Sequence, residues 1–100
     1  MPESFQEEVW RVVGDIPRGK VMTYGQVAEA AGSPRAAQAV GNAMRKAKEE
    51  DRDVPWQRVV RAGGFLSYEA PRNQEALLSE EGVSFVFGDC VDLQKHQWTK

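Results

Sequence analysis

Residues 23–48 read TYGQVAEAAGSPRAAQAVGNAMRKAK, and they decide how the chain folds. Thr23 and Gln26 have the spacing of a capping box, in which a hydroxyl and a carboxamide satisfy free N–H groups at a helix start. The short helix that follows, through Val27, Ala28 and Ala31, stops at Gly32. Ser33 is then expected to cap a second helix, with Pro34 at its first position, where the missing N–H does no harm. Two helices around a glycine turn make a helix-turn-helix pattern, although many helix pairs share it. The second helix has two unlike faces. At about 100° per residue, Ala37, Val40, Met44 and Ala47 fall together and read as core. Arg35, Gln38, Asn42, Arg45 and Lys46 gather on the other side, with Ala36, Ala39, Gly41 and Ala43 keeping the shoulders thin. Gly41 costs helix stability, which predicts a close neighbour at that position. A slim helix with a polar, cationic outer face suits a DNA groove.

Charge supports this direction. Segment 33–48 holds Arg35, Arg45, Lys46 and Lys48 and no acid, whereas the whole chain carries a formal net charge of −2. One basic segment on an acidic body is the footprint of a single oriented contact with phosphates, not of a generally adhesive polycation. With 100 residues, 41% hydrophobic and 28% charged, the chain is expected to form one globular domain over 1–100. No apolar run is long enough to cross a bilayer, and Met1–Gln6 lacks the pattern of a signal peptide, so a cytoplasmic monomer is expected. Cys90 is the only cysteine and His96 the only histidine, which provides neither a disulfide nor a zinc ligand set; no metal or cofactor is expected.

Outside this segment, Phe5, Val9, Val12, Val13 and Ile16 recur at helical spacing. Ser4 and Glu7 are placed as a capping box, predicting a helix over about 5–14 that Asp15–Lys20 breaks. Beyond the charged loop Lys48–Asp53, Val59-Val60 reads as a short strand and Gly63-Gly64 as a turn into Phe65-Leu66-Ser67. Pro71 opens a fourth helix that Gly82 ends, Val83–Phe87 is strand-like, and a polar tail with Trp98 follows. The fold expected is mainly α with a small β element.

Pro55-Trp56-Gln57-Arg58-Val59 is a signature when taken with Ile16-Pro-Arg-Gly-Lys20, Thr23-Tyr24-Gly25, Ala36-Ala-Gln-Ala-Val-Gly41 and Glu81-Gly82. In this order, over residues 4–88, the chain resembles the DNA-binding domain of the O6-alkylguanine-DNA alkyltransferases, a winged-helix-like helix-turn-helix. It is more similar still to the alkyltransferase-like proteins. The active enzymes carry Pro-Cys-His-Arg-Val at the signature. Dealkylation at guanine O6 is a displacement at carbon that needs a thiolate, formed with help from an imidazole. Trp56 stands at the cysteine position and Gln57 at the histidine position. An indole cannot accept the alkyl group and a carboxamide is no general base, so no enzymatic activity is expected.

The resemblance implies what remains: a non-enzymatic sensor that docks in the minor groove, flips an O6-alkylguanine out of double-stranded DNA and flags it for nucleotide excision repair proteins. On that basis Thr23, Tyr24, Arg35, Gln38, Ala39, Gly41, Asn42 and Arg45 are the expected DNA-binding residues. Tyr24, Pro55, Trp56, Ser67 and Arg72 are expected to line the lesion pocket, with Arg72 as the lid arginine packed on the base. Gln38 stands where the family usually places an arginine finger, and Arg35, one turn earlier on the same helix face, is a candidate substitute. Glu81 matches the glutamate that orients the missing histidine and is left a local hydrogen-bonding role, while Arg58 is expected to brace the fold through an ion pair. Two other functions remain open: a helix-turn-helix transcription regulator, and an alkyltransferase using Cys90, whose flanking Asp89 and Asp92 are a poor setting for a thiolate.

Overall fold

The fold rests on three helices that share one apolar core. A computed structural model describes the backbone of residues 2–99 and the side chains of residues 5–99. Helix α1 (Pro2–Gly14) buries Val9, Val12 and Val13, and Ile16 continues its stripe into the following turn. Its first helical residue is Pro2, a position proline tolerates, so it begins ahead of the expected start; the Ser4 side chain lies outside the described residues. Helix α2 (Tyr24–Ala30) starts as expected: the Thr23 hydroxyl accepts from the Gln26 N–H (3.1 Å) and the Gln26 carboxamide accepts from the Thr23 N–H (3.0 Å). Helix α3 (Ala37–Glu49) turns Val40, Ala43 and Met44 into the same core, and Ala47 is buried one turn on. The Trp10 indole donates to the carbonyl of Ala43 (3.0 Å), fixing α1 on α3.

Ser33 and Pro34 do not start α3. Gly32 reverses the chain at φ +96°, and the Ser33 N–H closes α2 by donating to the Ala28 carbonyl (2.9 Å). Ser33's backbone is thereby committed to the end of one helix. Pro34 then takes the second position of a turn closed by Ala36 N–H on the Ser33 carbonyl (3.0 Å), where its fixed φ is favourable. Helix α3 begins at Ala37 with no side-chain cap, and Arg35 lies in the turn before it. Ala43, expected on a shoulder, is core.

Two small sheets complete the fold. Strand β1 (Met22–Thr23) pairs in parallel with β2 (Val59–Val60), tying the helix-turn-helix to the signature segment. A 3-10 turn over Ala62–Gly64 leads to helix α4 (Pro71–Glu80), which ends before Gly82 at φ +87°. Strand β3 (Phe85–Phe87) forms an antiparallel hairpin with β4 (Cys90–Val91), and Val21, Val60, Leu66, Leu78, Val83 and Val91 make a second core beneath them. The architecture is mainly helical with a small β element, a winged-helix-like helix-turn-helix.

The expected polar tail is part of the fold. It forms β4 and helix α5 (Leu93–His96), and Val21 exchanges backbone bonds with the His96 carbonyl and the Trp98 N–H (both 2.8 Å). His96 accepts the Ser84 N–H at Nε2 (3.0 Å), so its Nδ1–H donates to the Gly19 carbonyl (3.0 Å), a neutral tautomer that ties three segments together. No helix among the described residues is long and apolar enough to cross a membrane.

Candidate functional site

One cleft of about 810 Å³ opens between α3 and the segments after β2. Its helix-turn-helix wall is built by Tyr24, Gln38, Gly41, Asn42 and Arg45. The helical period puts Gln38, Asn42 and Arg45 on the face opposite the buried Val40, Met44 and Ala47, with Gly41 on the shoulder between them. Gly41 has no heavy atom within 4 Å of where a Cβ would stand, so the close neighbour expected there is absent among the described residues; the bare backbone widens the cleft instead. Tyr24 packs on the core. Burial, and then the Glu69 carboxylate, push its phenol above the ordinary tyrosine range against the opposing pull of Arg61 and Arg45, so it stays a neutral hydrogen-bonding group at physiological pH.

Trp56, Arg61, Ser67, Tyr68 and Glu69 form the facing wall. Trp56 begins a 3-10 turn over Trp56–Arg58, and a polar hub anchored on Glu81 holds that turn. The Glu81 carboxylate accepts from the Gly19 N–H (2.9 Å), the Gln57 carboxamide (2.8 Å) and Arg58 Nε (3.0 Å), while Arg58 Nη1 donates to the Ile16 carbonyl (2.8 Å). Burial by itself would push the Glu81 carboxyl up; the donors from Arg58, Gly19 and Gln57 outweigh it and hold the group below the usual glutamate range. The side chain is 3% exposed, so this ion pair sits inside the fold, as expected for Arg58. Gln57 donates to this hub through its carboxamide.

Gln74, on α4, controls the next stretch and is fully buried. Its amide donates to the carbonyls of Gln57 (3.0 Å) and Val59 (2.9 Å), and its oxygen accepts the Ser67 N–H (2.8 Å). One side chain therefore links the Trp56 turn, β2 and the loop after Leu66. Arg61 Nε donates to the Leu66 carbonyl (2.7 Å), and its guanidinium lies 3.9 Å from the ring centre of Tyr68, an 82% exposed residue. Across the cleft mouth, Arg45 Nε pairs with Glu69 (2.9 Å), and Arg45 Nη1 donates to Asn42 (3.1 Å). Lys48 Nζ stands 4.3 Å from the ring centre of Trp56.

The structure brings together Tyr24, Gln38, Gly41, Asn42, Arg45, Trp56 and Ser67 of the residues singled out from sequence. Thr23 is the α2 cap, and Ala39 and Pro55 are half-buried beside the cleft without lining it. Arg35 is exposed in the turn before α3, so it does not share a helix face with Gln38 as expected. Arg72 lies outside the cleft, paired with Glu75 one turn along α4 and with Asp89 of the β3–β4 hairpin. The arginine on the wall facing α3 is Arg61, which sequence reasoning missed along with Tyr68, Glu69 and Gln74. Its position directly after Val59-Val60 was the available signal, since strand ends commonly present side chains to a site. Gln74 carried none, because a glutamine on a polar helix looks solvated.

Chemically, the cleft offers aromatic walls, hydroxyls and cations. No thiol or imidazole lines it among the described residues. Cys90 is buried in β4 with its Sγ 3.2 Å from the Gly63 carbonyl, away from the cleft. This geometry gives no support to an alkyl transfer through Cys90.

Residues 4–83 match the family model described as the 6-O-methylguanine DNA methyltransferase DNA-binding domain. The chain is 43% identical over 99 residues to the "DNA base-flipping protein" of Escherichia coli (strain K12), covering 96% of this chain and 75% of that one. It is 39% identical over 85 residues to "Alkyltransferase-like protein 1" of Schizosaccharomyces pombe, covering 81% of this chain and 78% of the relative. The crystal structure of S. pombe Atl1 in complex with damaged DNA containing O6-carboxymethylguanine superposes with a TM-score of 0.88 at 33% identity, covering 98% of this chain and 97% of that one. The chain belongs to the family of the 6-O-methylguanine DNA methyltransferase DNA-binding domain, with strong sequence and structural similarity to the alkyltransferase-like Atl1 of fission yeast.

Proposed function

We propose that this protein is a non-enzymatic DNA-damage sensor that binds double-stranded DNA containing O6-alkylguanine and holds the flipped base in the cleft. The observation that carries this reading is the cleft wall itself: Trp56 lines it, no thiol or imidazole does among the described residues, and Gln57 behind it is tied to Glu81. The relatives point the same way, one being named for base flipping and another having been solved on damaged DNA.

In this scheme α3 enters the minor groove by its slim face. Gln38 and Asn42 are exposed there, and Gly41 lets the backbone approach. Flipping costs a few kcal/mol of stacking and pairing, and less for a lesion that already pairs badly. Tyr24, braced on the core, crowds the backbone of the target nucleotide, and Gln38 hydrogen-bonds the base left without a partner. The flipped base meets Trp56 and the Arg61 guanidinium stacked on Tyr68; Arg61 takes the role that sequence gave to Arg72. A cation on an aromatic face contributes roughly 0.5–2 kcal/mol. A protein with no reacting group leaves the lesion in place, so its removal falls to another system, which we assign to nucleotide excision repair.

The test is one incubation with two readouts, using duplexes that carry O6-methylguanine or guanine at one position. Preferential binding of the lesion with unchanged protein mass supports the sensor. A gain of one methyl in mass refutes it in favour of an enzyme, and equal affinity for both duplexes refutes it in favour of a general DNA binder or regulator.

A further inference from the structure

The charges around the cleft bear on which adducts it holds. Lys48, in the last turn of α3, is half-buried and lines the cleft with its ammonium over the Trp56 ring (4.3 Å to the centre). Among the described residues it has no carboxylate partner. Glu50, two residues on, is taken by Lys46 and Arg52. Glu69, the carboxylate that lines the cleft, is taken by Arg45. Arg61, on the opposite wall, is held by a carbonyl and an aromatic ring and likewise has no carboxylate partner among the described residues. The walls therefore present a positive field at the face of Trp56.

A neutral alkyl group on guanine O6 gains nothing from that field, whereas a substituent ending in a carboxylate does. We propose that Lys48, held against Trp56, is a specificity-determining residue that makes the cleft prefer O6 adducts carrying a terminal carboxylate over neutral O6-alkyl adducts. This rests on the reading that the flipped guanine enters this cleft. An ammonium leaning on an indole is partly stripped of water and keeps all three donors, so a carboxylate brought beside it forms a charge-assisted hydrogen bond. Within the cleft that pair is screened less than a pair on open surface.

The experiment compares three duplexes that differ at one guanine: unmodified, O6-methyl and O6-carboxymethyl. Each is titrated with wild-type protein, Lys48→Met and Lys48→Arg at two salt concentrations. The wild type is expected to bind the carboxymethyl duplex about five- to tenfold tighter than the methyl duplex, tenfold corresponding to about 1.4 kcal/mol. That preference shrinks at the higher salt. Lys48→Met is expected to bring the two lesion duplexes to the same affinity, and Lys48→Arg to retain the preference. Equal wild-type affinity for both lesions overturns the proposal. So does a Lys48→Met variant that weakens all three duplexes by one common factor and lowers the salt slope by about one, because Lys48 would then be a phosphate contact. If wild-type protein holds O6-methylguanine no better than guanine, the sensor reading itself fails. That result is distinct, since the charge preference is read between the two lesion duplexes alone.

Discussion

Replacing Gln74 with methionine should destabilise the domain by about 2–5 kcal/mol, through hydrogen bonds lost and not through volume. Gln74 is fully buried and serves three backbone groups: the carbonyls of Gln57 and Val59 and the N–H of Ser67. Methionine fills nearly the same space without strain, so the cavity contribution is small. Val59 is itself buried, and its carbonyl loses this donor with no water to replace it, at about 1–3 kcal/mol. Gln57 and Ser67 are half-buried and water can partly reach them, so each adds about 0.5–1 kcal/mol. The sum is a large share of the roughly 5–15 kcal/mol by which domains are stable, but it leaves the variant folded in the cold. Urea denaturation gives the loss directly, and an unchanged m-value shows that the same surface unfolds. At a temperature where both proteins are folded, lesion affinity should also fall, because Ser67 lines the cleft and its N–H has been released. A loss below about 1 kcal/mol would refute this reasoning, since it would mean the three groups find other partners at no cost.

Glu81 sets an acid limit. Its folded pKa is depressed, so its contribution is fully present above the ordinary glutamate value of about 4.3 and is lost as pH falls through the lower folded value. Glu81→Gln should therefore cost about 3 kcal/mol at neutral pH by stranding Arg58, with the gap to wild type closing below pH about 4 in a series of urea melts. Gly64→Ala should lower the melting temperature sharply, because Gly64 has φ +97° and an added Cβ would stand 2.8 Å from the Val91 carbonyl oxygen. Gly63→Ala, with a nearest contact of 3.3 Å to the Phe65 ring, should cost less in the same melt. Gly41→Ala should raise stability by about 0.8–1 kcal/mol, because the site is open and inside a helix. Gly41→Leu should stay folded yet lose DNA affinity in a binding titration, because the side chain would fill the cleft.

Local signals carried much of the fold. The Thr23–Gln26 box, the glycines that end α2 and α4, and the apolar stripe of α1 each act within one or two turns of chain, and each is where the sequence places it. Where two local signals competed, spacing could not rank them. Ser33-Pro34 is a good helix start in isolation, but closing α2 uses the Ser33 N–H first and delays α3 to Ala37. Val59-Val60 was read as a strand, but its partner β1 was illegible for another reason: a strand of two residues has no period to detect, and the pairing joins Met22 to Val59 across the whole helix-turn-helix. The C-terminal segment looked like a tail because its attachment runs through backbone bonds to Val21 and through His96, neither of which leaves a hydrophobic pattern.

For the site, identity was readable and availability was not. Trp56 and Gln57 were read against the cysteine and histidine of the enzymes the chain resembles, and residue type is a property no contact can alter. Whether a cation is free to meet DNA depends on what neutralises it, and those partners lie far off in sequence. Arg72 and Arg61 show this most clearly. Arg72 is consumed by Glu75 and by Asp89, which only the hairpin brings near, whereas Arg61 is aimed by a carbonyl five residues on and then stacked on Tyr68. Arg45 stands between these cases: it projects from the cleft-facing side of α3, yet its Nε is already held by Glu69 from the opposite wall. That Nε cannot serve Glu69 and a phosphate at once, so engaging the backbone through it means giving up a bond that spans the cleft mouth. In the proposed scheme, docking of α3 and freedom of the Glu69 loop would be two consequences of one exchange, made at the surface where exposed pairs contribute only about 0–1 kcal/mol and a phosphate can compete.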